Sequence, residues 1–339
     1  MSFARAVAIW FAAATPADYG LSSYSPGRHK SVNHLSSTVA SLAETGTPQL
    51  LPPDRCRCTR EPFHDSMYIM TSTSSPEWWP VLLADITAEH DDLDRIVSTL
   101  DESGWLHPTP AEGWDVRDSI GHLTYFDDAA RRAVVDPSGF AAHVEEVMSG
   151  QLDPIAEHLE RGRSMDGAGV LAWWREARRE LLECLSAADP ESRLKWYGPP
   201  MGMRSFVTAR LMETWAHGQD VVDALGAARQ PTKRLKHIAE LGVRTRNFSY
   251  IVRGLEPASS EVTVDLEDPV EQGNIWHWGP DNAPDSVRGT ALDFCLIVTE
   301  RRNLADVSLQ IEGDDALGWM KIAQAFAGPP GPGRPPQST

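Results

Sequence analysis

The chain is short of several features that would announce a function. Its 339 residues include only four cysteines, Cys56, Cys58, Cys184 and Cys295. Thiols so few and so scattered make no disulfide framework in a chain of this size. One residue separates Cys56 from Cys58, which is too tight for an ordinary zinc knuckle. All four read as reduced thiols of a cytoplasmic protein. Cys184 falls on an amphipathic helical pattern without an adjacent histidine, so it reads as core rather than nucleophile. Phosphate-cradling loops are missing too: neither GxGxxG nor GxxxxGK[ST] occurs. "GLSSYSPG" near residue 20 lacks the strand–elbow–helix context of a serine hydrolase. No run of about 18 apolar residues is present, which argues against a membrane-spanning helix. Basic residues are scarce, 31 Lys and Arg against 48 Asp and Glu, for a net charge of −17. That balance argues against nucleic acid and against docking on anionic membrane. A small molecule is the expected partner. No internal repeat is found.

Composition and periodicity divide what is there. Residues 1–75 are rich in Ser, Thr, Pro and Ala, lack sustained helical periodicity and end in "TSTSSP". They read as a disordered or non-native N-terminal extension, with Met67 and Met70 as alternative starts. "MSFARAVAIWFAAATPA" mimics a short signal peptide, but the extension reading is preferred. From Pro76 the apolar spacing turns helical. "EGWDVRDSIGHLTYFDDAARRAV" opens with Asp115 as N-cap and Asp118 three residues on, an acid-for-acid capping box. Further helices are expected over about 169–187, 202–225 with Gly226 as stop, and 231–255. After Leu255, "SEVTVDLE" alternates as a half-buried strand, and "NIWHWG" and "DVSLQIEG" are strand-like. "GTALDFCLIVTERR" and "DDALGWMKIAQAF" are helical patterns among them. The expected fold is mainly α: a helical domain at 76–255, a small α+β domain at 256–327, and a Pro/Gly-rich disordered tail at 328–339.

Chemistry concentrates in "ARLMETWAHGQD". At about 100° per residue, Glu213, His217 and Asp220 project together over two turns of a helix. Two carboxylates and an imidazole on one face suit a borderline divalent ion. A solvated stripe should carry long polar neighbours, yet the companions are Phe206, Ala209, Ala216 and Ala224. A helix apolar on nearly all sides is buried, and buried acids need partners or a metal. Metal binding and structural ion pairing, with Arg210 or Arg117 for instance, both satisfy that need. His122, one turn into an apolar run, is the best candidate for a further ligand, although a lone histidine of this kind is more often a satisfied core residue. His107, His143, His158, His237 and His277 sit in loops, among charges or in a strand, and are set aside.

"PAEGWDVRDSIGHLTYFD" followed by "ARLMETWAHGQDVVDALG" resembles the mycothiol-dependent maleylpyruvate isomerase family, within the DinB/YfiT-like metal-binding superfamily. The resemblance covers roughly residues 77–334. It implies a DinB-like antiparallel four-helix bundle, a small α+β C-terminal domain, and a divalent metal, commonly zinc, at one end of the bundle. Carried over residue by residue, His122, Glu213 and His217 match the metal ligands. Asp220 has a less defined place, as a ligand or as support behind one. Mycothiol would be the thiol co-substrate, activated by the metal to attack a small electrophile. Arg301 and Arg302 would hold a substrate carboxylate, unless they are simply a basic helix terminus facing the dipole. The first 70 residues have no counterpart in this pattern. Two other functions share the scaffold: a non-catalytic metal-binding or sensing protein, and a thiol-independent metal-dependent tailoring enzyme of secondary metabolism.

Overall fold

A computed structural model describes residues 75–198 and 200–337 of the chain. The expectations for the N-terminal extension, including the signal-like stretch and the Cys56–Cys58 pair, fall outside the described residues.

Four long helices form a bundle: α1 (Trp78–Val97), α3 (Val116–Val135), α6 (Gly167–Ser186) and α7 (Met203–Leu225). The short α2 (Glu102–Trp105) lies in the turn after α1. Helices α1 and α6 run antiparallel, with Asp94 on Arg175 and Asp91 on Arg178. Helices α3 and α7 do likewise, as Asp127 on Arg210 and His122 near His217 require. Helices α3 and α6 run in the same direction, with Arg117 near Met165 and Arg131 on Glu180. The intervening helices α4 (Pro137–Ser149) and α5 (Pro154–Arg163) carry the chain back between them. Sequence reading assigned neither of these two.

Local chemistry fixes the helix ends. Asp115 accepts from the Asp118 backbone N–H while the Asp118 carboxylate accepts from that of Asp115, closing the capping box. Gly226 ends α7 in the left-handed region, φ 59°. Val81 is 58% exposed, and the buried apolar stripe of α1 is Trp79, Leu82, Ile86 and Leu93. The helical pattern at 231–255 resolves into α8 (Leu235–Arg244) and α9 (Arg246–Ile251).

The C-terminal part is a four-stranded sheet of order β4-β3-β5-β6, after a two-residue β1–β2 pair at 193–194 and 201–202. Strands β3 (Val262–Glu267) and β5 (Asp285–Thr290) are parallel; β4 (Ile275–Trp278) and β6 (Gln310–Glu312) add antiparallel edges. Strand β5 went unread because "DSVRGT" has little apolar alternation. Helix α10 (Ala291–Val298) packs on α8, where Val298 fills the space beside Gly242. Helix α11 (Asp314–Met320) follows β6. One buried cluster runs from Trp79 in α1 to Ala325 after α11, so bundle and sheet share a core. Within the described residues, no helix is long and apolar enough to cross a membrane.

Candidate metal centre

Helix α7 presents Glu213 and His217 one turn apart, and α3 presents His122 opposite them. One donor atom from each of the three lies within 4.8 Å of the others. His217 Nε2 stands 3.5 Å from Glu213 Oε2. An ion about 2 Å from each donor spaces ligands by about 3.4 Å, so this pair already has ligand spacing. Two imidazoles and a carboxylate are a donor set that zinc and its neighbours accept. The residues present therefore fit a divalent metal.

Each histidine is held from behind. His122 Nδ1 is 3.3 Å from His158 Nε2, which leaves Nε2 of His122 as its free nitrogen. His217 Nδ1 lies 3.4 Å from Asp220 Oδ2, which turns its Nε2 toward Glu213. Outer partners of this kind set the tautomer and ring orientation of ligating histidines. Trp114, pinned by the Thr109 N–H donating to its carbonyl at 2.8 Å, roofs the site. Its ring stacks on His217 at 5.8 Å and 19°, and lies 5.2 Å from both His122 and His158.

The electrostatics divide the imidazoles. Burial, with His217 and His158 nearby, pushes His122 well below the usual histidine range. Burial also lowers His158, to about 4. Burial opposes charge on His217 as well, but the Asp220 and Glu213 carboxylates outweigh it and raise its pKa. Burial would raise Asp220, yet Arg301, His217 and Arg334 together hold its carboxyl below the usual carboxylate range.

Asp220 stands behind His217 and outside the three-donor cluster. Its oxygens accept from Arg301 Nη2 at 2.9 Å and Arg334 Nη2 at 2.5 Å. Arg210 and Arg117, the partners considered from sequence, pair instead with Asp127 and Asp115.

Arg301 and Arg302 do not continue the C-terminal helix. Helix α10 ends at Val298, and Glu300 adopts φ 59°. The Arg301 N–H then returns to the Leu296 carbonyl at 2.7 Å, a Schellman closure built on a non-glycine residue. The turn sends Arg301 to Asp220 and Arg302 to Asp223, both on α7. Arg301 lines the cavity beside the triad; Arg302 is not among its walls. The Pro/Gly-rich tail, expected as disordered, is described through Gln337, and Arg334 anchors it on Asp220 and Asp223.

His158, Trp114 and Arg334 were missed as site residues. Charged neighbours hid His158, although Pro154, His158 and Gly162 form the buried stripe of α5 at a spacing of four. Trp114 sat inside the quoted motif without a role. A Pro/Gly-rich composition concealed Arg334.

Several known proteins are similar to this chain. Residues 86–222, which contain His122, Glu213 and His217, match the family model of the mycothiol maleylpyruvate isomerase N-terminal domain. The chain belongs to the mycothiol-dependent maleylpyruvate isomerase family. Its fold is the mainly helical, DinB-like one that the resemblance implied. The chain is 45% identical over 252 residues to the uncharacterized protein Rv0036c of Mycobacterium tuberculosis (strain ATCC 25618 / H37Rv), covering 74% of this chain and 97% of that one. The uncharacterized protein MT0041 of strain CDC 1551 / Oshkosh matches equally. Among solved structures, the mycothiol-dependent maleylpyruvate isomerase aligns at 14% identity and a TM-score of 0.47, over 69% of this chain and 92% of that one. A histidine-to-alanine mutant of that protein aligns with the same score.

Proposed function

We propose that the chain is a metal-dependent enzyme that uses a low-molecular-weight thiol, mycothiol, to isomerise or S-conjugate a small electrophile. The observation that carries this reading is that His122, Glu213 and His217 border a cavity of about 260 Å³ instead of closing on themselves. A structural metal site is closed by protein ligands, whereas a catalytic one keeps an open position. When bound, a divalent ion (zinc suits the donors) would lower the pKa of a thiol enough to leave thiolate at neutral pH.

The chain's own residues supply the rest. His158 and Asp220 hold the two imidazoles with Nε2 forward. Trp114 covers His217 and keeps bulk water from that side. Arg301 holds Asp220 ionised and in place. Thiolate addition to an activated double bond, rotation and expulsion of the same thiolate would isomerise a substrate. Displacement of a leaving group would instead leave the sulfur conjugated. The family is named for mycothiol, which supports that choice of thiol.

The test incubates the purified protein with mycothiol and a panel of electrophiles that includes maleylpyruvate, read by mass spectrometry. Conjugates or isomerised product should form with the wild type and not with His122→Ala. Turnover that needs no thiol would overturn the mechanism and favour the thiol-independent alternative.

A further inference from the structure

The cavity beside the triad has walls that metal binding does not explain. Phe126 comes from α3, Phe206 and Met212 from α7, Trp196 and Tyr197 from the β1–β2 connection, and Phe326 from the segment after α11. The Tyr197 hydroxyl is turned to His143 Nε2 at 3.0 Å, so its ring is what the cavity meets. Trp196 stacks on Phe140 at 5.4 Å and meets Phe206 edge-on at 5.0 Å, which fixes its plane.

Two cations reach this lining, and each is paired with an aspartate of the protein. Arg210 Nε and Nη2 donate to Asp127 Oδ1 at 3.1 and 2.8 Å. Arg301 donates through Nε to the Ala216 carbonyl at 3.2 Å, through Nη1 to the Thr299 carbonyl at 2.6 Å, and through Nη2 to Asp220 at 2.9 Å. Each guanidinium keeps N–H groups beyond these bonds, but its charge already faces a carboxylate of the protein, Asp127 for Arg210 and Asp220 for Arg301. Glu213 adds a carboxylate to the same walls. A dicarboxylate could place one group on a bound metal; its second would have to share a guanidinium that a protein carboxylate already holds, within otherwise apolar walls. Room is ample for something larger and neutral. A cavity of about 150 Å³ holds benzene, and this one measures about 260 Å³.

We propose that the cavity selects an uncharged, bicyclic aromatic electrophile over a dicarboxylate. Its electrophilic character rests on the thiol chemistry proposed above; its apolar, uncharged ring system rests on the cavity alone. The walls stack on ring faces, and the arginines already face carboxylates of the protein.

Binding of an unreactive probe separates these two parts. Calorimetric titration of the full-length protein with 1-naphthol and with maleate compares ring and dicarboxylate directly. The expected result is 1-naphthol bound at least about tenfold more tightly than maleate. Ala209→Phe places a ring inside the cavity and should weaken 1-naphthol at least about tenfold, with the far-UV circular dichroism unchanged. Trp196→Arg, on a half-buried wall, should shift the preference toward maleate. Maleate bound as tightly as 1-naphthol by the wild type would overturn the proposal, and so would full 1-naphthol affinity in a folded Ala209→Phe. Metal content and thiol turnover of the same preparation report on the enzyme reading separately. A metal-free, inactive protein that still prefers 1-naphthol would uphold the cavity's selectivity and sink that reading.

Discussion

Asp220 Oδ2 lies 3.4 Å from His217 Nδ1, and the same oxygen accepts from Arg301 Nη2 at 2.9 Å. One carboxylate oxygen thus serves an imidazole and a guanidinium together. Asp220→Asn keeps the shape and removes the charge. His217 loses the group that sets its tautomer, and metal affinity should fall about 10–100-fold. Arg301 and Arg334 are left short of a counter-charge, so stability should fall by about 3 kcal/mol. Chelator competition reads the first effect and urea denaturation the second. Unchanged affinity would show that Asp220 does not orient His217.

The tail acts on the same carboxylate. Arg334 reaches Asp220 and Asp223, while Phe326 to Pro329 line the cavity. Arg334→Ala should cost about 1–2 kcal/mol of stability, because a mostly buried pair is broken while Arg301 and Arg302 keep their own. It should also speed metal loss to a chelator. Truncation after Gly328 should do at least as much on both measures. Wild-type behaviour of either variant would show that the tail is only resting on the surface.

A third prediction concerns pH. Burial holds His90 at about 4 against an ordinary 6.5; Asp127 pulls the other way, and Arg178 and Arg210 add to the lowering. Between those two values the unfolded chain binds more protons than the folded one. Stability from neutral His90 is therefore complete above pH 6.5 and is lost as pH falls toward 4. The loss is up to about 3 kcal/mol. His143 and His158, also lowered by burial, add in the same direction. His90→Leu removes only its own share, so urea denaturation of the variant should show a shallower acid fall than the wild type. Parallel curves would contradict the assignment.

The joint between bundle and sheet gives a fourth. A Cβ added at Gly242 would lie 2.8–3.0 Å from three Val298 side-chain carbons. Gly242→Ala should destabilise by about 1–3 kcal/mol through overpacking. Gly242→Ala combined with Val298→Ala should recover part of that loss, measured by the same denaturation. No recovery would mean that α8 and α10 do not meet as described.

The parts of this fold written in local patterns were readable from sequence. The capping box at Asp115–Asp118, the stop at Gly226 and the alternation in Val262–Glu267 each depend on residues within one turn or one strand. Glu213, His217 and Asp220 were legible for the same reason, since helical spacing alone puts them together. What stayed hidden depends on distant chain. Whether Asp220 meets a metal or an arginine is decided by Arg301 and Arg334, 81 and 114 residues away. The tail's order comes from those ion pairs and leaves no local signature. Strand β5 carries "DSVRGT" because its neighbours β3 and β6 supply the pairing that its own pattern does not advertise.

The central claim is that His122, Glu213 and His217 hold a divalent metal together. Elemental analysis of the purified full-length protein by mass spectrometry, beside His217→Ala and His122→Ala, tests it most directly. The account predicts about one equivalent of divalent metal, zinc foremost, per wild-type chain, and its loss from both variants. A wild type that carries no metal and binds none when zinc is offered, with stability equal to that of His217→Ala, would contradict it.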